Sequence, residues 1–167
     1  MKILILSLGF VFVVSHSFAS VWSFRDVGVG IKPQVAIDTN NNVHVTFVSE
    51  ALFGNVFYSK YNKALSVFKV DTVSEGYFYG PADIEIDKLN YPHVSYHDHN
   101  LNGGDLAHFV FNGDSWGALH VYDKGHDGWD SEIKFDSNNN THIASIDPPI
   151  GNVGNGVEYA VYDGVKW

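Results

Sequence analysis

Three histidines recur at one spacing in this sequence, and regularly repeated imidazoles are a pattern that metal-binding sites also show. They are His44, His93 and His142, and each stands at the start of a predicted strand. Equivalent positions on separate repeat units are expected to lie too far apart to share one metal ion, whose bonds to nitrogen are only ~2 Å long. We therefore expect each imidazole to have a structural role, as a hydrogen-bond partner for a turn of the adjacent unit.

Two polar segments resemble the first half of a calcium-binding loop. They are Asp38–Asn42 and Asp136–Asn140, and both have the pattern Asp-x-Asn-x-Asn. Calcium takes about 6–8 oxygen ligands, and a carboxylate usually closes the loop at its twelfth position. That position is Ser49 in the first unit and Asp147 in the third, and the second unit has Leu89 where the pattern needs an asparagine, so the pattern is not kept across the units. The segments are therefore predicted to be polar turns, and no metal or cofactor is predicted.

A further group of aromatic, imidazole and carboxylate side chains falls in glycine-rich stretches that the pattern predicts to be loops on one face. Such a mixture suits sugar rings, because their C–H faces stack on aromatic rings while their hydroxyls form hydrogen bonds. An alternative is that His97 and His99 chelate a metal, which requires an extended chain regular enough to put both imidazoles on one side. The predicted ligand-binding residues are Tyr79, His97, Asp98, His126, Asp127 and Trp129.

Repeat spacing predicts the elements that must position these side chains. Asp38, Asp87 and Asp136 follow one another at intervals of 49 residues, and the three histidines keep the same interval. Alternation of apolar and polar residues predicts four short strands per unit, with no sustained helical periodicity. A unit of this length with four strands is typical of a propeller blade, so we predict an all-β fold of four-stranded antiparallel blades. In the first unit the predicted strands are Gln34–Ile37, His44–Val48, Val56–Tyr61 and Val67–Val73.

The repeat also sets the expected boundaries. Residues 20–167 form the predicted propeller segment, with units at about 28–75, 76–124 and 125–167 and with 21–27 as a permuted outer strand. Propellers typically close with about 4–8 blades, so three blades predict an incomplete ring. Either the chain is a fragment that lacks downstream blades, or copies of it assemble into a complete ring as a homo-oligomer.

The N-terminus has the pattern of a signal peptide. Met1 and Lys2 precede an apolar run over Ile3–Val14, and small residues at Ser17 and Ala19 predict cleavage after Ala19. The apolar run is shorter than the ~20 residues that a membrane-spanning helix needs. The sequence therefore predicts a signal peptide at 1–19, a secreted chain that is extracellular or periplasmic, and no membrane span after cleavage.

The second unit joins Asp87 and the run Pro92–Tyr96 to a Gly-x-x-Trp turn, and the third unit repeats that turn. This pattern resembles the sialidase-superfamily propellers with BNR-like repeats. The resemblance implies the propeller fold, and by itself it implies no activity. The family's Asp-box is degenerate, because its Gly and Trp match Gly113 with Trp116 and Gly164 with Trp167, whereas Phe111 and Tyr162 stand where its Asp is expected.

Charge and composition exclude several classes of function. The formal net charge is −9, and an acidic chain repels the phosphate backbone of nucleic acid. The resemblance implies that a sialidase would grip its substrate with three arginines, but Arg25 is the single arginine in the sequence. We therefore predict a secreted binding or scaffold module for a glycan or cell-surface ligand. The alternative is part of a polysaccharide-acting hydrolase or lyase, in which Asp98 or Asp127 would supply catalytic carboxylates.

Overall fold

The computed structural model describes residues 23–50, 54–76, 78–99, 104–121, 128–147 and 156–167. Within these ranges the chain forms eleven strands and no helix. The strands are β1 (Ile31–Ile37), β2 (Val43–Val48), β3 (Val56–Asn62), β4 (Val67–Ser74), β5 (Phe78–Ile86), β6 (Pro92–Asp98), β7 (Asp105–Phe111), β8 (Trp116–His120), β9 (Trp129–Phe135), β10 (Thr141–Asp147) and β11 (Gly156–Tyr162).

The strands form three antiparallel sheets in chain order. The first sheet has the order β1-β2-β3-β4, the second β5-β6-β7-β8, and the third β9-β10-β11 within the described part of the chain. Within each sheet, every strand pairs with the next one along the chain, as in a blade of a propeller. The predicted all-β fold of blade-like sheets is confirmed, and the four strands predicted in the first unit differ from the observed ones by no more than a few residues.

Polar turns join the first two strands of each blade. The Oδ1 atom of Asp38 accepts hydrogen bonds from the backbone N–H groups of Asn40 at 2.9 Å and Asn42 at 2.7 Å. Its Oδ2 accepts from the Asn42 amide at 2.6 Å. Burial tends to raise the pKa of Asp38, but the hydrogen bonds from Asn42, His44 and Asn40 outweigh it and lower the pKa to about 2. The Asp-x-Asn-x-Asn segment is therefore a turn in which the aspartate carboxylate accepts hydrogen bonds from the turn itself.

The hydrophobic core lies between the sheets. One cluster joins the first two blades and contains Val56 and Tyr58 of the first blade together with Ile84 and Tyr96 of the second. A second, smaller cluster joins the last two blades and includes Leu106, Val121, Ile133 and Ile143. The middle blade is therefore buried on both faces, and all seven residues of β6 are buried.

Hydrogen bonds repeat at the same places between successive blades. The hydroxyl of Thr46 on β2 donates to the carbonyl oxygen of Ala82 on β5 at 2.5 Å. One blade further on, the hydroxyl oxygens of Ser95 on β6 and Ser131 on β9 are 3.0 Å apart. Because both polar pairs are buried, their hydrogen bonds fix the lateral position of one sheet on the next.

The segment before β1 forms no strand in its described part. Residues 23–30 approach the first blade closely, and a Cβ atom on Gly28 would lie 2.4 Å from Cζ of Phe47. Since residues 23–27 are not paired in a sheet, the permuted outer strand at 21–27 stays a prediction. Residues 1–22, with the predicted signal peptide at 1–19, lie outside the described residues. The described ranges contain no helix that is both long and apolar enough to cross a membrane.

A core substitution tests the packing between blades. Replacing Ile84, which is buried between the first two blades, with Ala should lower the free energy of unfolding by about 2–5 kcal/mol. Leu89→Ala in the exposed turn of the same blade is the control and should change it by about 0.5 kcal/mol or less. Urea denaturation followed by tryptophan fluorescence measures both values. Equal effects of the two substitutions would contradict this location of the core.

Candidate functional site

Each repeated histidine bridges two side chains of its own blade. In the first blade the Nδ1 atom of His44 lies 2.7 Å from the hydroxyl of Tyr58, and its Nε2 lies 3.3 Å from Oδ2 of Asp38. Tyr58 stands on β3 opposite Thr46, two residues beyond the histidine. The expected structural role is found, but the expectation of a partner in the adjacent unit was wrong. The reason is that β3 returns directly beside β2 and brings a hydroxyl within reach.

The second blade has a histidine where the other two have a tyrosine. Nδ1 of His93 lies 2.8 Å from Nε2 of His108. His108 is on β7 and stands opposite Ser95 on β6. The imidazole of His93 also lies 3.7 Å from the carboxylate of Asp87. In the third blade, Nε2 of His142 lies 3.5 Å from the carboxylate of Asp136, and its Nδ1 contacts the hydroxyl of Tyr159.

Burial favours the neutral form of the imidazoles in the first two blades. Removal from water lowers the pKa of His93, although the carboxylate of Asp87 opposes that effect. Burial also lowers the pKa of His108, and the neighbouring imidazole of His93 lowers it further. The pKa of His44 is lowered chiefly by burial, although its hydrogen bond to the carboxylate of Asp38 opposes that effect. The buried imidazoles of the first two blades, with their carboxylate, hydroxyl or imidazole partners, therefore have a structural role.

Four of the predicted ligand-binding residues meet at the end of the hairpin formed by β6 and β7. His97 packs against Trp129, with ring centroids 4.9 Å apart, and the backbone of Tyr79 pairs with that of His97. Asp98 stands opposite Asp105 on β7. Gly104, with a φ of +114°, allows the backbone to pass close to the imidazole of His97, because a Cβ there would lie 2.8 Å from its Nε2. His126 and Asp127 lie outside the described residues.

This hairpin end is interior rather than exposed. Tyr79, His97, Asp98 and Trp129 were expected in loops, but they belong to strands, because the strands extend beyond the apolar alternation that predicted them. His97 and Asp98 are buried, and His97 occupies the repeat position that Val48 takes in the first blade. It therefore serves the packing of the second blade on the third. As for the metal alternative, no group of three or more His, Cys, Asp or Glu is arranged to hold a metal ion in the described ranges.

A groove of about 480 Å³ lies between the first and second blades. We call it the aromatic groove, and its aromatic walls are Tyr58, Tyr61, Tyr91 and Phe111. Tyr91 is exposed, and Tyr61 lies under the guanidinium of Arg25, which is 5.1 Å from its ring centroid. The polar residues that line the groove are Lys60, Asn62, Lys69, Asp71 and Asn90.

Sequence reasoning missed the aromatic groove. Tyr61 and Phe111 lie near the ends of equivalent third strands, and Tyr91 lies in the turn that precedes β6. The signal in the sequence is that the first two units share an aromatic residue followed by asparagine, at Tyr61-Asn62 and Phe111-Asn112. It could not show that a turn of the second blade comes to lie beside the last residues of β3.

A second groove, of about 530 Å³, runs along the first strands of the three blades. We call it the inner-strand groove, and it is polar. Lys134 forms ion pairs there with Glu85 at 2.9 Å and Glu132 at 3.8 Å. Asp83 accepts a hydrogen bond from the backbone N–H of Ile133 at 2.9 Å, and burial raises the pKa of its carboxyl despite that bond.

Comparison with protein-family models found no match to this chain, and comparison with curated proteins found no significant match. The relation to the sialidase superfamily therefore stays a resemblance in the repeat pattern. The two grooves and the hairpin end must be interpreted from their own geometry.

The histidine pair in the middle blade predicts a loss of stability in acid. The pKa of each of the two imidazoles is lower in the folded chain than the ordinary value of ~6.5 in the unfolded chain. The unfolded state therefore binds more protons once the pH falls below ~6.5, and the free energy of unfolding should decrease from there downward.

His108→Tyr, which restores the residue type of the other two blades, should reduce that decrease and preserve most of the stability at pH 7. Urea denaturation of both proteins over a series of pH values measures the difference. The same acid dependence in wild type and His108→Tyr would show that the pair does not cause it.

Proposed function

We propose that this chain is a secreted, propeller-type binding module whose aromatic groove takes a glycan. The observation that carries the proposal is the composition of the groove, in which Tyr61, Tyr91 and Phe111 stand beside amide, ammonium and carboxylate groups. Sugar rings have apolar C–H faces and polar edges, so they fit surfaces that combine aromatic rings with hydrogen-bonding groups.

The groove supplies both kinds of hydrogen-bonding partner that hydroxyl groups need. Lys69 and Asp71 lie on β4 and form an ion pair at 3.2 Å, so a donor and an acceptor stand side by side. Asn90 and Tyr91 come from the turn of the second blade, and they face β3 and β4 of the first. A ligand seated there would contact two blades at once, and its affinity would depend on how one blade packs on the other.

The residues at the hairpin end support a ligand site less well. His97 and Asp98 are buried, so they could shape a surface nearby but have little area of their own to offer a ligand. Direct contacts of Tyr79, His126, Asp127 and Trp129 with a glycan stay a prediction.

Loss of one aromatic wall tests the groove. The purified chain is screened on a glycan array, and binding of the best ligand is then measured by isothermal titration calorimetry. Tyr91→Ala should weaken binding about tenfold, because stacking against one aromatic ring contributes on the order of 1 kcal/mol or more beyond the area that it buries. Leu89→Ala is the matched control, since Leu89 is exposed in the same turn and does not line the groove.

If Tyr91→Ala and Leu89→Ala bind the array ligand as well as the wild type does, the glycan site is elsewhere. If no glycan on the array binds, the proposal fails as a whole. Circular dichroism of each variant shows that the fold is retained.

A second candidate is a hydrolase or lyase that acts on polysaccharide, and it is favoured by the inner-strand groove. A carboxyl with a raised pKa beside other carboxylates can serve as a general acid, and Asp83 lies near Glu85 and Glu132 in this groove. Release of new reducing ends from a bound polysaccharide, abolished by Asp83→Asn, would support this candidate. Binding without turnover would leave the binding module as the function.

A further inference from the structure

The third blade presents an exposed apolar face. Ile146 on β10 stands opposite Val157 on β11, and Ala144 stands opposite Tyr159. Val157 is 80% exposed and Tyr159 65%. We call this surface, which also includes His142 and Val161, the third-blade face.

The same face is buried in the first blade. By strand register, Val56 corresponds to Val157, and Tyr58 corresponds to Tyr159. Val56 is 0% exposed and Tyr58 3%, because the second blade packs on them. The third-blade face therefore has the shape and chemistry of a surface onto which another blade packs.

The first blade carries the surface that would complete this contact. Val35 and Ile37 on β1 occupy the repeat positions of Ile84 and Ile86 on β5, which pack against the preceding blade. Unlike them, Val35 is 65% exposed and Ile37 63%. We call this surface the first-blade face.

Turn hydrogen bonds show the same complementarity. The backbone N–H of Thr39 donates to Oδ1 of Asn90 at 3.0 Å, and the backbone N–H of Lys88 donates to Oδ1 of Asn139 at 3.0 Å. Each bond thus runs from the residue after a turn aspartate to the asparagine of the next blade. Continuing the series would take the N–H of Ser137 to the side chain of Asn41, whose positive φ of 58° matches those of Asn90 and Asn139.

Aromatic residues extend the series. Trp116 of the second blade packs edge-on against Tyr58 of the first, with ring centroids 5.1 Å apart. Trp167 of the third blade packs in the same way against His108 of the second, at 5.5 Å. Trp116 on β8 pairs with Phe111, the last residue of β7. Phe68 on β4 has the equivalent place in the first blade, where it pairs with Tyr61 on β3.

We propose that the third-blade face docks onto the first-blade face of a second copy of this chain. Ser137 would then donate to Asn41 of the second copy, and Phe68 of the second copy would cover Tyr159. Thr46 and Ser95 each form a hydroxyl hydrogen bond with the following blade. Ala144 has their place in the third blade, and because it has no hydroxyl, this one contact would be missing. Two such head-to-tail contacts would close a ring of two chains and six blades, which lies within the range of about 4–8 blades known for propellers.

Light scattering coupled to size-exclusion chromatography tests this contact over a wide range of concentrations of the purified chain. The wild type should have twice the mass of one chain. Ile146→Asp on one face or Val35→Asp on the other should raise the dissociation constant at least tenfold and give a monomer. Leu89→Asp, on an exposed turn of the middle blade, is the control and should remain a dimer.

A mixture of Ile146→Asp and Val35→Asp distinguishes a head-to-tail contact from a symmetric one. Each variant retains one intact face, so the mixture should form a heterodimer that neither variant forms with itself. A folded wild-type monomer at every concentration would overturn the proposal and assign these faces to another partner, such as further blades of a longer chain. An open series of trimers and tetramers would uphold the contact and overturn the closed ring. Glycan binding in the aromatic groove lies within one chain, so its loss would not mimic either result.

Discussion

The packing of one sheet face on the next is the interaction on which the rest of this structure depends. A single small antiparallel sheet has little stability in water, because too much of its apolar surface stays exposed. Tyr58 and Val56 of the first blade are buried in one cluster with Ile84 and Tyr96 of the second, and burial of each such side chain contributes about 1.5–3 kcal/mol. The middle blade is stabilised from both sides, whereas each outer blade has this support on one side only in the described chain.

This arrangement determines how polar groups are used. Polar groups that are buried between blades need hydrogen-bond partners. In the first blade Asp38, His44 and Tyr58 provide them within one sheet. The second blade uses His108 in place of tyrosine, which brings two neutral imidazoles into contact at the interface. The same contact between blades forms the aromatic groove, since Tyr61 and Tyr91 come from different sheets. Stability, the predicted acid sensitivity and the candidate glycan site therefore share one structural cause.

The sequence predicted the strands and their grouping well, because alternation and the interval between Asp38 and Asp87 are local or strictly periodic signals. It could not predict the partners of His93 or His44. Those partners lie across a hairpin of variable length, at Tyr58 in one blade and His108 in the next, and so they do not repeat at the interval of 49 residues. The sequence also did not predict that His97 is buried. The equivalent position in the first blade is the apolar Val48, but histidine is a polar residue type that favoured an exposed loop.

Native-state hydrogen exchange tests the central claim most directly, because it measures the stability of each strand separately. If packing between blades stabilises the sheets, the amides of β6 should exchange slowest, since β6 is paired on both sides and buried throughout. The amides of β11, on the edge of the third blade, should exchange much faster. Equal protection of β6 and β11 would contradict the account, since it would mean that each sheet is stable without its neighbours.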